Sequence, residues 1–350
     1  MLETQHKSGF DGRSVSGIVL AGTYHWSGSP FEELKARPLL PVVLKPIIGH
    51  VLQWIDESGI SETTICANGS TGALQRHFES GYSSTLALRY HEDGTPRGAA
   101  GCVKDAATQS QADTFVVTDG ASIPTSCIRA LVAHHIEKQA DLTVVAHSQL
   151  SRGSAAPQYF PTGTFVFDRR VLDAIPATSF HDIKESLIPR LYREGRRIEL
   201  FEVGDMSPRV RNAESYLALN RWMLERLATS SPELVTHPTA WIDKSATIIG
   251  PVVLGEGVRI HASATIVGPS VIGAGTTVRS GATVARSITW DECVIGERSF
   301  VDQCVVAERG SIDDGETLAG VLRVQSARGL RSRAQASVPS ANAIAKPAVS

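Results

Sequence analysis

The first two thirds of the chain alternate between short apolar runs and longer segments in which apolar residues recur at helical spacing. The runs that predict strands are GIVLAG, TTICAN, TLALRY, TFVVTDG, DLTVVAH, TFVFD and RIELFEV. The segments that predict helices are PIIGHVLQWIDESG, TGALQRHFES, AAGCVKDAATQ, IRALVAHHIEKQ, IKESLIPRLYREG and NAESYLALNRWMLERLA. Such alternation favours a mostly parallel sheet with helices on both faces. We therefore expect an α/β domain over residues 15–229, preceded by a flexible N-terminus at residues 1–14.

From Trp241 onward the pattern changes to an apolar residue at every sixth position. A first series spans residues 242–284 and, after a four-residue step near Arg286, a second spans residues 288–318. The positions are Ile242, Ile248, Leu254, Ile260, Ile266, Ile272, Val278, Val284, Ile288, Val294, Phe300, Val306, Ile312 and Leu318. This period is typical of a hexapeptide parallel β-helix, here of about four to five coils. We assign the β-helix to residues 240–321, a linker to residues 230–239 and a disordered, Ser/Ala/Arg-rich tail to residues 322–350.

Composition narrows the classes of function. The 350 residues carry 34 Lys and Arg against 36 Asp and Glu, a formal net charge of -2, which argues against a nucleic-acid partner. No apolar run approaches the roughly 18 residues that cross a membrane, and the polar N-terminus does not resemble a secretory signal. The five cysteines form no C-x-x-C pair. We therefore expect a cytoplasmic protein with reduced thiols, without membrane contact, zinc or disulfides.

Residues 21–42 read AGTYHWSGSPFEELKARPLLPV and are followed by KPIIGHVLQWIDESGI. This stretch resembles, without a gap, the loop A-G-G-x-G-T-R-L-x-P-L-T and the motif P-K-P-L-L-P-V of the sugar-nucleotide pyrophosphorylases. RGAAGCVKDA is similar to the L-G-T-A-G loop of that family, and TFVVTDG to its strand that ends in N-G-D. PTGTFVFDRRVL and AESYLALN resemble two further family motifs. Members of the family are nucleotidyltransferases that make sugar nucleotides, and the nearest general likeness is to mannose-1-phosphate guanylyltransferases.

The resemblance implies a Rossmann-like nucleotidyltransferase domain followed by a left-handed parallel β-helix. It also implies a pocket for a sugar nucleotide or a nucleoside triphosphate. The candidate binding residues on matching positions are Ala21, Gly22, Thr23, Arg37, Gly98, Ala99, Gly101 and Gly163. Terminal coils of a β-helix leave open edges, so we expect a homo-oligomer or a hetero-oligomer with an active paralogue.

The charged catalytic positions of the family are substituted in this chain. The family's loop arginine falls on Ser27, its lysine on Arg37, and its two metal-binding aspartates on Gly120 and Arg209. Phosphoryl transfer needs metal ions and fixed cations around the transferred group. These substitutions therefore predict impaired catalysis, no bound metal, and Mg²⁺ only if activity remains. We expect a regulatory or structural subunit that binds a sugar nucleotide.

An active enzyme with a rearranged metal site is the main alternative. Asp119 precedes Gly120, and Asp205 lies shortly before Arg209, so these carboxylates could replace the lost pair. Successive residues of a strand face opposite ways, however, which predicts that Asp119 points away from the site.

Two further features each have two interpretations. Thr23 and His25 stand where the family's loop has glycines, and His25 with Trp26 either stacks on a base or plugs the pocket. His261 lies inside the repeat, where a histidine between coils can act as a general base. A β-helix acyltransferase is therefore a minor alternative.

Overall fold

The computed structural model describes residues 10–22, 31, 33–69, 71–79, 81–92, 94, 97–150, 157–229 and 234–323. The chain divides into two compact units, one ending at Asn212 and one beginning at Ala213. The expectations for residues 1–9 and for the tail from residue 324 lie outside the described residues. Among the residues that are described, no helix has both the length and the apolar character to cross a bilayer.

A seven-stranded sheet forms the centre of the first unit. Its strands are β1 (Val15–Leu20), β4 (Glu62–Ala67), β5 (Ala87–Glu92), β6 (Thr114–Asp119), β7 (Leu142–Gln149), β8 (Gln158–Asp168) and β9 (Ile198–Val203). A separate small ribbon is made by β2 (Pro41–Val42) and β3 (Lys45–Pro46). The order in the large sheet is β5-β4-β1-β6-β8-β7-β9. Within the large sheet, β8 runs antiparallel to all the other strands, which are parallel to one another. The expected mostly parallel sheet is confirmed.

Helices cover both faces of this sheet. They are α1 (Ile47–Glu57), α2 (Thr71–His77), α3 (Gly98–Thr108), α4 (Ile128–Glu137) and α5 (Ile188–Arg193). Val116 of β6 packs in one core with α1 and α4, whereas its neighbours Phe115 and Val117 pack in a second core with α3 and α5. Since alternate residues of a strand face opposite sides, a strand covered on both faces is apolar throughout. This is why β6 shows no polar alternation.

The order of the strands reverses between β1 and β6. From β1 the chain proceeds outward to β4 and β5, and then returns to β6 on the other side of β1. Such a reversal opens a crevice outside the carboxyl ends of the strands, where α/β proteins bind ligands. Leu20 and Asp119, the last residues of these two strands, are paired in register. The residues that follow them are therefore the first candidates for a binding site.

The second unit contains a parallel β-helix. Its strands are β10 (Leu234–Thr236), β11 (Trp241–Ile242), β12 (Thr247–Ile249), β13 (Val252–Leu254), β14 (Arg259–Ile260), β15 (Thr265–Val267), β16 (Ser270–Ile272), β17 (Thr277–Val278), β18 (Thr283–Ala285), β19 (Ile288–Thr289), β20 (Val294–Ile295), β21 (Phe300–Asp302), β22 (Val305–Val306), β23 (Ser311–Ile312), β24 (Thr317–Ala319) and β25 (Leu322–Arg323). They stack as three parallel sheets of six, five and five strands. Ile248, Ile266 and Val284 form one column, as the six-residue period predicts. The β-helix is confirmed, and its left-handed sense stays a prediction.

The second apolar series is wrong by one residue over part of its length. Val301, not Phe300, pairs with Val284, and Ile295, not Val294, pairs with Val278. Val301 is fully buried, whereas Phe300 is 42% exposed. The corner at Arg286 is one residue shorter than the equivalent corner of the preceding coil. Because both residues of each pair are apolar, the period alone does not show which of them points inward.

The β-helix also extends beyond the bounds predicted for it. Strand β10 pairs with β13, although the sequence assigned residues 234–236 to the linker. Strand β25 pairs with β22, although its residues were assigned to the tail. The inward columns reach Thr236 at one end and Arg323 at the other, so the outermost positions lack the apolar residue that identifies the repeat.

Helix α6 (Ala213–Ala228) belongs to the second unit, although the pattern placed it in the α/β domain. Its Tyr216 is buried, and the phenol oxygen accepts a hydrogen bond of 3.0 Å from the Trp290 indole. The two rings meet edge to face, with centroids 6.4 Å apart. A helical pattern shows which residues are buried but not what covers them, so the sequence did not reveal this packing.

Candidate functional site

The start of the predicted nucleotide loop lies directly after β1. Ala21 is buried, and its N–H donates to the carbonyl of Cys66 at 2.7 Å. A Cβ on Gly22 would lie 2.9 Å from Oδ1 of Asn68. The hydrogen bond holds Ala21 against β4, and the nearby Asn68 side chain leaves little room for a side chain at Gly22. The remaining predictions for this loop lie outside the described residues; they concern Thr23, His25, Trp26 and Ser27.

Gly120 does not face the site that the alignment gave it. Its N–H donates to the carbonyl of Leu20 at 2.9 Å. A Cβ on Gly120 would lie 3.0 Å from Cγ1 of Val19 and 3.3 Å from Cβ of Ala21. A longer side chain at this position would therefore run into β1.

Asp119 is the acidic residue that faces the site. Its Cβ lies 3.2 Å from the position that a Cβ on Gly163 would take, and its carboxylate is paired with Arg209. The expectation that Asp119 points away from the aligned positions is therefore wrong. Side chains do alternate at the end of β6, but a side chain on the aligned residue, Gly120, would point toward β1, and that of Asp119 points toward Arg209.

Arg209 reaches the same place from the segment that follows β9. Its Nη2 donates to the carbonyl of Thr162 at 2.8 Å, and its Nη1 lies 3.9 Å from Oδ2 of Asp119. The Arg209 and Asp119 side chains are 35% and 33% exposed. Gly163 makes this contact possible, because its φ is +94° and a Cβ there would lie 2.9 Å from Nη2. The structure thus brings together Asp119, Gly163 and Arg209.

The Asp119 carboxylate also closes the turn after β6. Its Oδ1 accepts a hydrogen bond of 2.9 Å from the N–H of Ala121, and Oδ2 accepts one of 3.4 Å from the Ser122 hydroxyl. The carboxylate is therefore shared between a turn and a guanidinium. The sequence analysis did not predict the pairing with Arg209, although one signal was available. The acid stands one residue before the aligned position, at Asp119, and the second metal-binding position carries a positive charge in place of a negative one.

The donor set does not fit a magnesium site. Asp205 accepts from the N–H of Met206 at 2.8 Å, and its carbonyl accepts from the Thr125 hydroxyl at 2.7 Å. Across the described part of the chain, no group of three or more His, Cys, Asp and Glu side chains could hold a metal ion. Mg²⁺ prefers carboxylate and water oxygens, and a guanidinium beside Asp119 opposes a second cation.

The segment predicted to approach the base packs tightly against a neighbouring loop. Gly98 has φ +77°, and a Cβ there would lie 2.4 Å from the carbonyl oxygen of His181. The same carbonyl accepts from the N–H of Ala100 at 3.0 Å, at the start of α3 beside the half-buried Ala99. Gly101, one turn further, faces the side chain of Arg97, the residue that precedes α3. That Gly22, Gly98 and Gly163 line one pocket stays a prediction.

The other candidate residues lie apart from this cluster in the chain. Arg37 begins a 3₁₀ turn (Arg37–Leu39) and is half-buried there. His261 follows β14, and its ring meets that of Trp241 edge to face at 5.5 Å between centroids. Nothing in this contact supplies an acyl-transfer site.

Two family models match the chain. Residues 16–153 match the nucleotidyl transferase model, and residues 230–332 match the model described as the GMPPB C-terminal domain. The first model covers the strands whose ends form the crevice, and the second covers the β-helix.

Curated relatives agree with these two matches. A mannose-1-phosphate guanylyltransferase of Mycobacterium tuberculosis is 23% identical over 70% of this chain and 76% of its own length. The bifunctional protein GlmU of an Exiguobacterium species is 22% identical over 70% of this chain, which spans 60% of that relative. A glucose-1-phosphate thymidylyltransferase of Streptomyces antibioticus is 24% identical over 70% of this chain and 74% of its own length. Together these matches support a sugar nucleotidyltransferase family whose members carry a C-terminal hexapeptide-type region.

Proposed function

We propose that this protein binds a sugar nucleotide but does not synthesise one at an ordinary rate, and that it acts as a regulatory or structural subunit. The observation that carries the proposal is the pair formed by Arg209 and Asp119. A guanidinium stands where the alignment with the family expects a metal-binding carboxylate, and it occupies one of the two nearby acids.

The positive charge of Arg209 at this position disfavours turnover. Two unit charges about 4 Å apart interact by about 4 kcal/mol near a protein surface, and less where water screens them. The guanidinium would repel a divalent ion at Asp119 by a similar or larger amount. Metal ions contribute several kcal/mol to the stabilisation of a phosphoryl-transfer transition state. Their loss would therefore slow the reaction by a large factor.

Ligand binding is less sensitive to these substitutions than turnover. The backbone after β1 and the tightly packed start of α3 remain at the carboxyl ends of the strands, where α/β proteins hold nucleotides. We propose that the ligand is a sugar nucleotide or a nucleoside triphosphate, and that the base and sugar contacts are kept.

We also propose that the subunit acts in an oligomer, either with itself or with an active paralogue. Strands β12 and β24 lie at the two ends of their sheet, so each has one edge to which no strand in the described residues is paired. Such edges are suited to pairing with a second chain.

One observation favours an active enzyme as the second candidate. The Asp119 side chain faces Gly163, which is one of the positions that the alignment assigns to the binding site. If Arg209 swung away, the Asp119 carboxylate would be free to take a new partner. Under this alternative, Asp205 would have to complete the metal site.

Binding and turnover should be measured side by side. The purified full chain is titrated calorimetrically with GDP-mannose, UDP-glucose, ADP-glucose and dTDP-glucose, and pyrophosphate release is followed with each nucleoside triphosphate, hexose 1-phosphate and Mg²⁺. The proposal expects binding of at least one sugar nucleotide without turnover. Turnover above about 1 s⁻¹, the low end of ordinary enzymes, would contradict it.

A further inference from the structure

We infer that Arg209 supplies the positive charge for the pyrophosphate group of the bound sugar nucleotide, so that this protein binds its ligand without a divalent cation. The inference rests on the proposed function, since it assumes that a sugar nucleotide occupies the crevice. It concerns the charge that neutralises the phosphates, which the family's metal ion would otherwise supply.

Arg209 is held as a fixed cation. Its Nη2 is anchored by the carbonyl of Thr162 at 2.8 Å, and its Nη1 faces the Asp119 carboxylate. A guanidinium carries five N–H donors in one plane. The contacts with Thr162 and Asp119 engage two of its nitrogens, and about a third of the side chain is exposed. Donors therefore remain for a phosphate oxygen that approaches from the crevice.

The anchoring suits an anion more than a metal ion. At 3.9 Å, the contact between Arg209 and Asp119 is an ion pair at the limit of direct contact, which leaves the guanidinium only partly neutralised. The Thr162 carbonyl is an acceptor without formal charge, so it orients the guanidinium without cancelling its charge. Arginine matches the geometry of phosphate oxygens with paired N–H donors and keeps its charge at every physiological pH.

The local backbone leaves room for this arrangement. Gly163 has no side chain, and a Cβ on it would lie 2.9 Å from Nη2 of Arg209. Gly120 carries no carboxylate, and a side chain at this position would run into β1. The positions that the alignment assigns to metal-binding acids therefore leave one cation at the site and no acid pair.

The test compares the affinity for sugar nucleotides in EDTA and in Mg²⁺. The full-length protein is titrated with the four sugar nucleotides under both conditions, and inorganic pyrophosphate is used as a competitor in EDTA. We expect the same dissociation constant in EDTA and in Mg²⁺, and competition by pyrophosphate. Binding that appears only with Mg²⁺ would overturn the inference.

Substitutions of Arg209 locate the charge. Arg209→Gln should weaken binding in EDTA by about tenfold to a hundredfold, the scale of a hydrogen bond to a charged group. Arg209→Lys should bind more tightly than Arg209→Gln and less tightly than the unmodified protein. Arg209→Asp should abolish binding in EDTA. Arg190→Gln is the matched control, because Arg190 of α5 pairs with Glu194 and its loss removes the same charge elsewhere in the first unit. An unchanged affinity in Arg209→Gln would contradict the inference.

The outcomes separate the two proposals. Turnover measured in the same samples would contradict the proposed function and leave metal-independent binding standing. Failure of all four sugar nucleotides to bind under either condition would overturn both. Thermal unfolding of each variant shows whether an affinity change reflects the site or a misfolded chain. The comparison of EDTA with Mg²⁺ uses the unmodified protein, so no effect of a substitution on folding enters it.

Discussion

Arg209 lies 3.9 Å from Asp119, measured from Nη1 to Oδ2, and thereby links two segments that are not neighbours in the sheet. Asp119 ends β6, whereas Arg209 follows β9 in the chain, and β8 and β7 lie between these strands. The guanidinium is anchored midway by the Thr162 carbonyl of β8. This side chain therefore ties together the carboxyl end of β6 and the chain beyond the sheet's edge strand.

Asp119→Asn distinguishes the two candidate functions by the sign of its effect. The amide oxygen can still accept from the Ala121 N–H, so the turn is kept, but the negative charge beside Arg209 is lost. We expect sugar-nucleotide binding in EDTA to be unchanged or tighter by about two- to fivefold, the scale of a half-exposed charge interaction. If Asp119 held a catalytic metal, the same substitution would abolish metal-dependent binding and turnover.

Gly163→Ala should weaken binding and destabilise the first unit. The residue has φ +94°, and the added methyl would lie 2.9 Å from Nη2 of Arg209. We expect a loss of about 1–3 kcal/mol in the free energy of unfolding and a displaced Arg209. Chemical denaturation and calorimetric titration measure the two effects. Gly204→Ala is the control, since a Cβ there has nothing within 4 Å, and an equal effect in both variants would refute the argument.

Val301→Ala and Phe300→Ala test the register of the β-helix. Val301 is fully buried in the inward column, whereas Phe300 is 42% exposed. We expect the first substitution to cost about 2 kcal/mol of unfolding free energy through the cavity that it leaves, and the second to cost under about 1 kcal/mol. The reverse order in urea unfolding would show that Phe300 is the inward residue.

His135 should make the first unit less stable in mild acid. The side chain is buried and its Nδ1 lies 2.8 Å from the Thr143 hydroxyl. Burial, partly offset by Asp168, lowers the pKa of His135 to about 4 from an ordinary value near 6.5. The unfolded chain therefore binds more protons than the native chain between these pH values. The free energy of unfolding should fall by about 1.4 kcal/mol per unit as pH drops from about 6.5 to 4.

The measurement is urea unfolding as a function of pH for the unmodified protein and for His135→Gln. The variant should lose this part of the slope, because the group that titrates is gone. His134→Gln serves as the control, since the neighbouring ring packs edge to face on Phe201 and is changed in the same way. A slope that survives in His135→Gln would assign the effect to another group.

Asp168 should stabilise the first unit as a buried carboxylate that stays ionised. Burial raises the pKa of Asp168, but hydrogen bonds from Arg170 and Arg13 outweigh it and hold the pKa below its ordinary value. This stability is present above the ordinary carboxyl pKa and is lost as pH falls through the native value. We expect Asp168→Asn to cost about 2–4 kcal/mol at neutral pH, somewhat less than a fully buried pair because the two arginines are partly exposed. Asp173→Asn, at an exposed position, is the control; an equally large loss there would contradict the argument.

The periodicity of apolar residues predicts most of the helices and strands and both architectures. Strands covered on both faces are apolar throughout, helices repeat near every third and fourth residue, and β-helix coils repeat at six, so each architecture has its own period. These periods arise from local geometry, which the chain carries in its residue order.

The direction in which particular side chains point depends on long-range packing and not on periodicity. Phe300 and Val301 are both apolar, and the short corner at Arg286 chose between them by shifting the register by one residue. Asp119 and Gly120 were likewise neighbours with opposite directions, and the packing of β6 against β1 turned the acid toward Arg209. A shift of one residue reverses the direction of a side chain in extended backbone. The period therefore predicted each strand, but not which of two neighbouring side chains points toward the core or the site.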